Sequence, residues 1–454
     1  MRKFALRYTH CFTPEALYSE VLSPMAFGKF QDFLSGLVKV QRGLFVGNTP
    51  PTMDELLEKL MGNTGEVSAA IAARELLDLY SDLDDDSKLA FFMNLEQHFN
   101  ANEESIKLAY EDYSAESTSA NLNRLSRAAE PRRHELLRRL NQTPGATHDL
   151  VSMRTDLIRF TRDNPELRSV DETFVRLFTS WFGRGFLVLQ TINWSTSAAI
   201  LERIIRYEAV HEIKDWDDLR RRIDPPNRRC FAFFHPALTD EPLIFVEVAL
   251  SDEVPGSINS ILEDTAEGDV DPSKFTTATF YSISNCQPGL KNITFGNFLI
   301  KQVVNELQAE FPSITQFVTL SPIPGFHRWL SQESDDELEE LKTLKAVIRS
   351  MPETDDSIHE NGDAIKRLVF NYLLQAKKGK YPADPVSRFH LGNGAKIFQL
   401  HTAADMSEKG RTQSCGTMVN YLYDLSCVEQ NHEKYVTEGN VEYSDKLKPL
   451  IIKR

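Results

Sequence analysis

FTTATFYSISNCQPGLKNITFGNFLIKQVVNELQAEFPSITQFVTLSPIPGFHRWL, residues 275–330, alternates strand-like and helix-like patterning within one segment. Its first run, 275–284, is rich in Thr, Phe, Tyr and Ile, which suit a pleated, half-buried strand. A polar loop containing Gly289 and Gly296 follows. Then comes an amphipathic helix, with Val303, Leu307 and Phe311 at i, i+4 and i+8. Pro312 ends it. A second strand run, TQFVTLS (315–321), stops at two prolines in three residues, which deny ladder hydrogen bonds and turn the chain away from the sheet. A strand–helix–strand crossover within one sheet is almost always parallel and right-handed. The first loop and Ser321 therefore share the carboxyl edge of the sheet, where such folds bind ligands. Loop N–H groups and the positive end of the helix dipole suit an anionic group there, such as a pyrophosphate.

FAFF (231–234) and LIFVEVAL (243–250) also read as strands with helices between them, so residues 183–454 form a sheet-containing domain. A helical, acidic stretch at 331–378 reads as an insertion or lid with a solvated face. Before Gly183 the grammar is helical. Leu89, Phe92, Leu95 and Phe99 recur at spacings of three and four after a cap at Asp86 or Ser87. Leu150, Met153, Leu157 and Phe160 repeat the pattern, as do Phe174, Leu177 and Trp181. EPRRHELLRR (130–139) reads as a solvated helix face. The fold class is α+β with two domains, a helical bundle over 1–182 followed by a mixed-sheet domain over 183–454.

Composition narrows the function. The 454 residues carry 66 acidic and 51 basic side chains, a net charge of −15. That surface disfavours nucleic acid, whose binding depends on phosphate neutralisation. Apolar runs such as FLVL (186–189) are far short of a bilayer span, so no membrane partner is expected. Five scattered cysteines without a CxxC pair read as reduced thiols in a cytoplasmic protein. MRKFALRYTH has no continuous apolar core, so a secretory signal is not expected, and the terminal IIKR is not a peroxisomal address. None of the four His-Glu dipeptides has the second His of a zinc site, and GxxxxGK[ST], GxGxxG and GxSxG are absent. The expectation is chemistry without metal or organic cofactor.

Two side chains stand out. Ser321 sits where the second strand ends, and His390 lies in DPVSRFHLGNGA (384–395), beside Gly392 and Gly394. Taken alone, Ser321 caps a turn and His390 is a satisfied structural histidine. Together with FYSISNCQPGLKNITFGNFLIKQVVNELQAEFP, TLSPIPGFHRWL and SCGTMVNYLYDL, in this order, their contexts resemble malonyl-CoA decarboxylase, densely from about residue 170 to 430. The resemblance implies a helical N-terminal domain that self-associates, and a catalytic domain of the GNAT acyltransferase fold. It implies conversion of malonyl-CoA to acetyl-CoA and carbon dioxide without a cofactor, in a homo-oligomer (dimer or tetramer). Matched residue by residue, it makes Ser321 and His390 catalytic, with Tyr423 and Ser282 in the active site. It makes Lys291, Asn292, Ile293, Thr294, Phe295, Gly296 and Asn297 the CoA-binding loop. Thr294 stands where some members have a glutamate, leaving Asn292, Asn297 or water to replace it.

The chemistry asks for these residue types. Loss of carbon dioxide from a malonyl thioester leaves an enolate, which preorganised donors stabilise. A water-poor site favours departure of the carboxylate, and the carbanion-like carbon then needs a proton, for which imidazole is suited. From sequence, either of Ser321 and His390 could hold the carboxylate while the other delivers the proton. Two other functions fit the same fold, a GNAT-type acyl-CoA acyltransferase and a non-catalytic CoA-binding or interaction protein.

Overall fold

In the computed structural model the described residues are 51–62, 65–263, 271–293, 298–332, 338–352 and 354–453. Chain contacts divide the molecule into two units, Met1–Ser180 with Gly289–Asn292, and Trp181–Pro288 with Ile293–Arg454.

The first unit is helical: α1 (Met53–Met61), α2 (Glu66–Ser81), α3 (Asp85–His98), α4 (Glu103–Ala115), α5 (Ser119–Ala128), α6 (Arg132–Leu140), α7 (Ala146–Phe160) and α8 (Arg168–Trp181). Side-chain oxygens satisfy the orphan amides at several starts, as Thr52 does for Glu55 and Asn102 for Ser105. The cap of α3 is Asp84, two residues before the earlier of the two positions expected, because its carboxylate accepts from Ser87 N. Phe92, Leu95, Leu150, Met153, Leu157 and Phe174 are buried as their spacing requires, and Tyr80, Phe91 and Phe92 meet edge to face. The basic stretch at 130–139 is not uniformly solvated. Arg133 is buried on α6 and donates to Thr173 Oγ1 (3.0 Å) and Ser169 O (3.2 Å).

Arg154, fully buried on α7, pairs with Asp171 (2.7 Å) and donates to the carbonyls of Gly289 (2.6 Å) and Lys291 (2.9 Å). A Cβ on Gly289 would lie 1.9 Å from Val151 O, so this approach requires glycine.

In the second unit the elements are β1 (Val188–Ile192), α9 (Ala198–Tyr207), α10 (Trp216–Ile223), β2 (Arg228–Phe234), β3 (Pro242–Ser251), α11 (Asn259–Leu262), β4 (Thr277–Asn285), α12 (Phe298–Glu310), β5 (Gln316–Thr319), α13 (Phe326–Leu330), α14 (Glu339–Arg349), α15 (Asp355–Glu360), α16 (Gly362–Gln375), β6 (Lys377–Lys378), β7 (Tyr381–Pro382), α17 (Pro385–Gly392), β8 (Lys396–His401), α18 (Glu408–Ser414), β9 (Met418–Leu422) and α19 (Val428–Glu438). Among the described residues a seven-stranded sheet runs in the order β1-β2-β3-β4-β5-β9-β8. Its parallel pair is β4–β5, joined through α12, whose Val303 and Leu307 are buried. This is the helical-then-mixed-sheet arrangement expected.

Within 331–378 the solvated reading holds less well for α16. Leu368, Val369, Phe370 and Leu373 are fully buried, so that helix is core and not lid. No helix among the described residues is long and apolar enough to cross a membrane.

Strands β5 and β9 share few backbone pairings, Val318 with Leu422 and, past the strand end, Ser321 with Val419. Between them side chains take over: Tyr421 N donates to Thr319 Oγ1 (3.1 Å) and Asn420 Nδ2 to Thr319 O (2.7 Å). Opposite, α17 begins at Asp384 and Pro385, a start set by an acceptor side chain and a residue without a donor. The Asp384 carboxylate takes Ser387 N (2.9 Å) with one oxygen and Gly325 N (3.1 Å), from the Pro-rich turn, with the other. Burial pushes this carboxyl up, and the backbone N–H groups it accepts oppose that shift.

Asp384→Ala removes both bonds and should destabilise the fold by about 2 kcal/mol. Asp384→Asn, which keeps an acceptor oxygen, should cost less. Thermal melts check this, and equal melting temperatures for wild type and Asp384→Ala would refute the clamp.

Candidate active site

At the carboxyl end of β5 the chain enters the turn after Ser321, and its backbone is held to β9 by Ser321 N to Val419 O (2.9 Å) and Val419 N to Ser321 O (3.0 Å). That leaves the Ser321 side chain inside the unit, 5% exposed, facing α17. His390 occupies the last turn of α17, and its Nε2 lies 3.1 Å from Ser321 Oγ. Its Nδ1 lies 2.8 Å from the hydroxyl of Tyr423, just past β9. Three of the expected residues, far apart in sequence, therefore form one hydrogen-bonded line. Ser321 Oγ also donates to Thr319 Oγ1 (2.8 Å).

Aromatic side chains fix the imidazole between these partners. Tyr421 stacks on it at 4.7 Å with 24° between ring planes, and Phe389 meets it edge-on at 5.1 Å. Burial pushes the His390 imidazole down to about 3, because a dry pocket penalises its cation. Burial likewise pushes the hydroxyls of Tyr421 and Tyr423 well up. At neutral pH the line is uncharged, with one nitrogen of the ring a donor and the other an acceptor.

Ser321 and His390 open onto a cavity of about 380 Å³, walled by Ile244, Val246, Phe280, Ile283, Leu299 and Phe389 among others. Phe280 of β4, which faces Thr319 across the parallel pair, and Ser321 just past β5 both line it. One extra residue in β4, Tyr281, shifts the register there, since Glu247 faces Ser282 while Val248 faces Phe280. The site is an apolar chamber with a short polar line at one wall. Such a chamber can hold a thioester dry beside the Ser321 oxygen and the imidazole of His390.

Ser282 is placed elsewhere. Its hydroxyl lies 2.8 and 2.9 Å from the two Glu208 carboxylate oxygens and 3.4 Å from Ser284 Oγ. Glu208 also accepts Val210 N (2.7 Å) and His211 N (2.8 Å), so Ser282 helps anchor that turn, and Val210 lines the cavity. Behind it Glu247, fully buried, has its carboxyl pushed up to about 8, by burial first and by Glu208 second. Arg222 lies 3.4 Å from Glu247.

Of the expected loop, Lys291 and Asn292 are exposed members of the first unit, and Asn292 has φ of 67°. Ile293 is buried in the second unit. Thr294, Phe295, Gly296 and Asn297 lie outside the described residues. Among the described residues no cluster of three or more His, Cys, Asp or Glu could hold a metal ion.

Residue reading alone missed Thr319, Tyr421, Asp384 and Glu208. A signal existed for the first two. Thr319 and Tyr421 stand two residues before Ser321 and Tyr423, so strand alternation places each pair on one face.

Residues 185–454 match the family model described as malonyl-CoA decarboxylase C-terminal domain, and residues 99–182 match the malonyl-CoA decarboxylase N-terminal domain. The crystal structure of malonyl-CoA decarboxylase from Rhodopseudomonas palustris is 46% identical, covers 88% of this chain and 100% of its own, and superposes with a TM-score of 0.83. That from Agrobacterium vitis is 43% identical over the same shares, with a TM-score of 0.81. Mitochondrial malonyl-CoA decarboxylase of Rattus norvegicus is 34% identical over 359 residues, 72% of this chain and 73% of that one. A chain matched over both of its parts by these models, and along its length by these relatives, belongs to the malonyl-CoA decarboxylase family and is a carboxy-lyase.

Proposed function

We propose that the protein decarboxylates malonyl-CoA to acetyl-CoA and carbon dioxide through an enolate, with His390 and Ser321 as its catalytic pair. The observation that carries this reading is the desolvated His390 ring, bonded at both nitrogens and opening with Ser321 onto an apolar cavity. In that chamber the malonyl carboxylate loses hydration that would stabilise its charged ground state. The bond from C2 to the carboxylate breaks, its electron pair moves into the enolate, and the thioester oxygen gains charge. His390 is placed to donate to the reacting acyl group and Ser321 Oγ to hold the ring in that position, with no reorganisation at the moment of reaction. C2 then takes a proton from the His390–Ser321 line, and water restores it, one proton entering per turnover. A neutral imidazole suffices as acid, because a thioester enolate is the stronger base. The loop 291–297 is read as the segment that holds the CoA moiety, and Tyr423 as the group behind His390.

The test is release of acetyl-CoA from malonyl-CoA alone, without an acyl acceptor. Product formation separates a decarboxylase from an acyltransferase and from a non-catalytic binding protein. His390→Asn should lower turnover by about 10²–10⁴-fold while acetyl-CoA affinity, measured by calorimetry, stays unchanged. Ser321→Ala should be similarly impaired, and the double variant little worse than the worse single, because the two act as a unit. A folded His390→Asn protein with wild-type turnover would overturn the reading.

Burial also sets a pH signature. With the folded imidazole at about 3, His390 does not change charge between about pH 5 and 8, and kcat should show no inflection from it there. In the unfolded chain the same ring, near 6.5, takes up a proton that the folded state refuses. Its contribution to stability is therefore full above about 6.5 and falls as pH drops toward 3. Denaturation midpoints measured across that range, in wild type and in His390→Asn, should differ in slope by this one proton.

A further inference from the structure

We infer that Thr319 is a positioning residue that sets the direction of the proton line, placing the single hydrogen of His390 on Nε2, at the cavity. The inference rests on the reading of Ser321 and His390 given above and adds a residue to it. Thr319 is fully buried at the end of β5, two residues before Ser321 and on the same face. The hydroxyl of Ser321 has one hydrogen, and it is directed to Thr319 Oγ1 at 2.8 Å. Toward His390, 3.1 Å away, Ser321 can then only accept. A neutral imidazole carries one N–H, so that hydrogen lies on Nε2. Nδ1 is left bare, and it accepts the Tyr423 hydroxyl at 2.8 Å. Thr319 Oγ1 is itself held in place, because it accepts Tyr421 N at 3.1 Å across the gap between β5 and β9. The same Tyr421 stacks on the imidazole at 4.7 Å, so one pair of residues fixes both the plane of the ring and the order of its hydrogens.

The consequence for the reaction balances in atoms and charge. When the bond from C2 to the carboxylate breaks, C2 keeps the electron pair and takes the hydrogen from Nε2. As it does so Nδ1 takes the hydrogen of Tyr423, so the ring ends neutral as the opposite tautomer. Nδ1 then returns that hydrogen to the Tyr423 oxygen while Nε2 takes one proton from water, which restores the resting line. Were Ser321 to donate to Nε2, the ring hydrogen would start on Nδ1, away from the acyl group.

The direct test is nitrogen-15 NMR of the full-length protein with labelled histidine. His390 should show a protonated Nε2 and a bare Nδ1, whereas a protonated Nδ1 would overturn the inference whatever any variant does. In kinetics, Thr319→Val keeps the shape but removes the acceptor, and should lower kcat about tenfold with acetyl-CoA affinity unchanged. Thr319→Ser restores the hydroxyl and should return kcat to within a few-fold of wild type. Wild-type kcat in Thr319→Val, or equal impairment in Thr319→Ser, counts against it. If His390→Asn is inactive while Thr319→Val is not, this inference alone fails. If His390→Asn is fully active, the reading beneath it fails.

Discussion

One buried carboxylate holds the two halves of the site in register. Asp384 accepts a backbone N–H from its own helix with one oxygen and Gly325 N from the Pro-rich turn with the other. The first bond starts the helix that carries His390, and the second ties down the turn that follows Ser321. Gly325 and Asp384 are 59 positions apart in sequence, so an error in either element would displace the imidazole from the hydroxyl. Gly325 belongs to the same constraint. A Cβ there would lie 2.1 Å from the Tyr372 hydroxyl, which sits beside the clamp.

From this registration the electrostatics follow. The His390 line stays neutral because Tyr421, Phe389 and the apolar cavity wall exclude the water that a cation would need. The same dryness makes each donor more effective toward a developing charge. Charge is instead gathered behind β3 and β4, where Arg222 lies close to both Glu247 and Asp218 and Glu208 takes Ser282. The extra residue at Tyr281 in β4 is where the ladder changes register between this polar group and the cavity wall.

The splay between β5 and β9 is the other architectural choice. A continuous backbone ladder would leave the Thr319 hydroxyl free of the strand beside it. Here its oxygen takes the place of a ladder acceptor for Tyr421 N and still receives Ser321. A structural bond and a bond of the proposed active line thus share one atom, and that atom links the sheet to the imidazole.

Local periodicity and turn chemistry were enough to read the helical first part, the four strands at 231–321, the parallel crossover and the placement of Ser321 at a strand end. Those features depend on neighbours within a few residues, which a single sequence displays. The family resemblance pointed to Tyr423, and it gave a role to His390, which isolated residue reading left as structural. Packing between distant segments makes Ser282 turn to Glu208, buries Arg133 and places α16 in the core, since each depends on what packs opposite. The Asp384 clamp and the Thr319 acceptor were out of reach for the same reason. Their partners are separated along the chain or lie on a facing strand, and a hydrogen bond across such a gap leaves no periodic trace in the residues that make it.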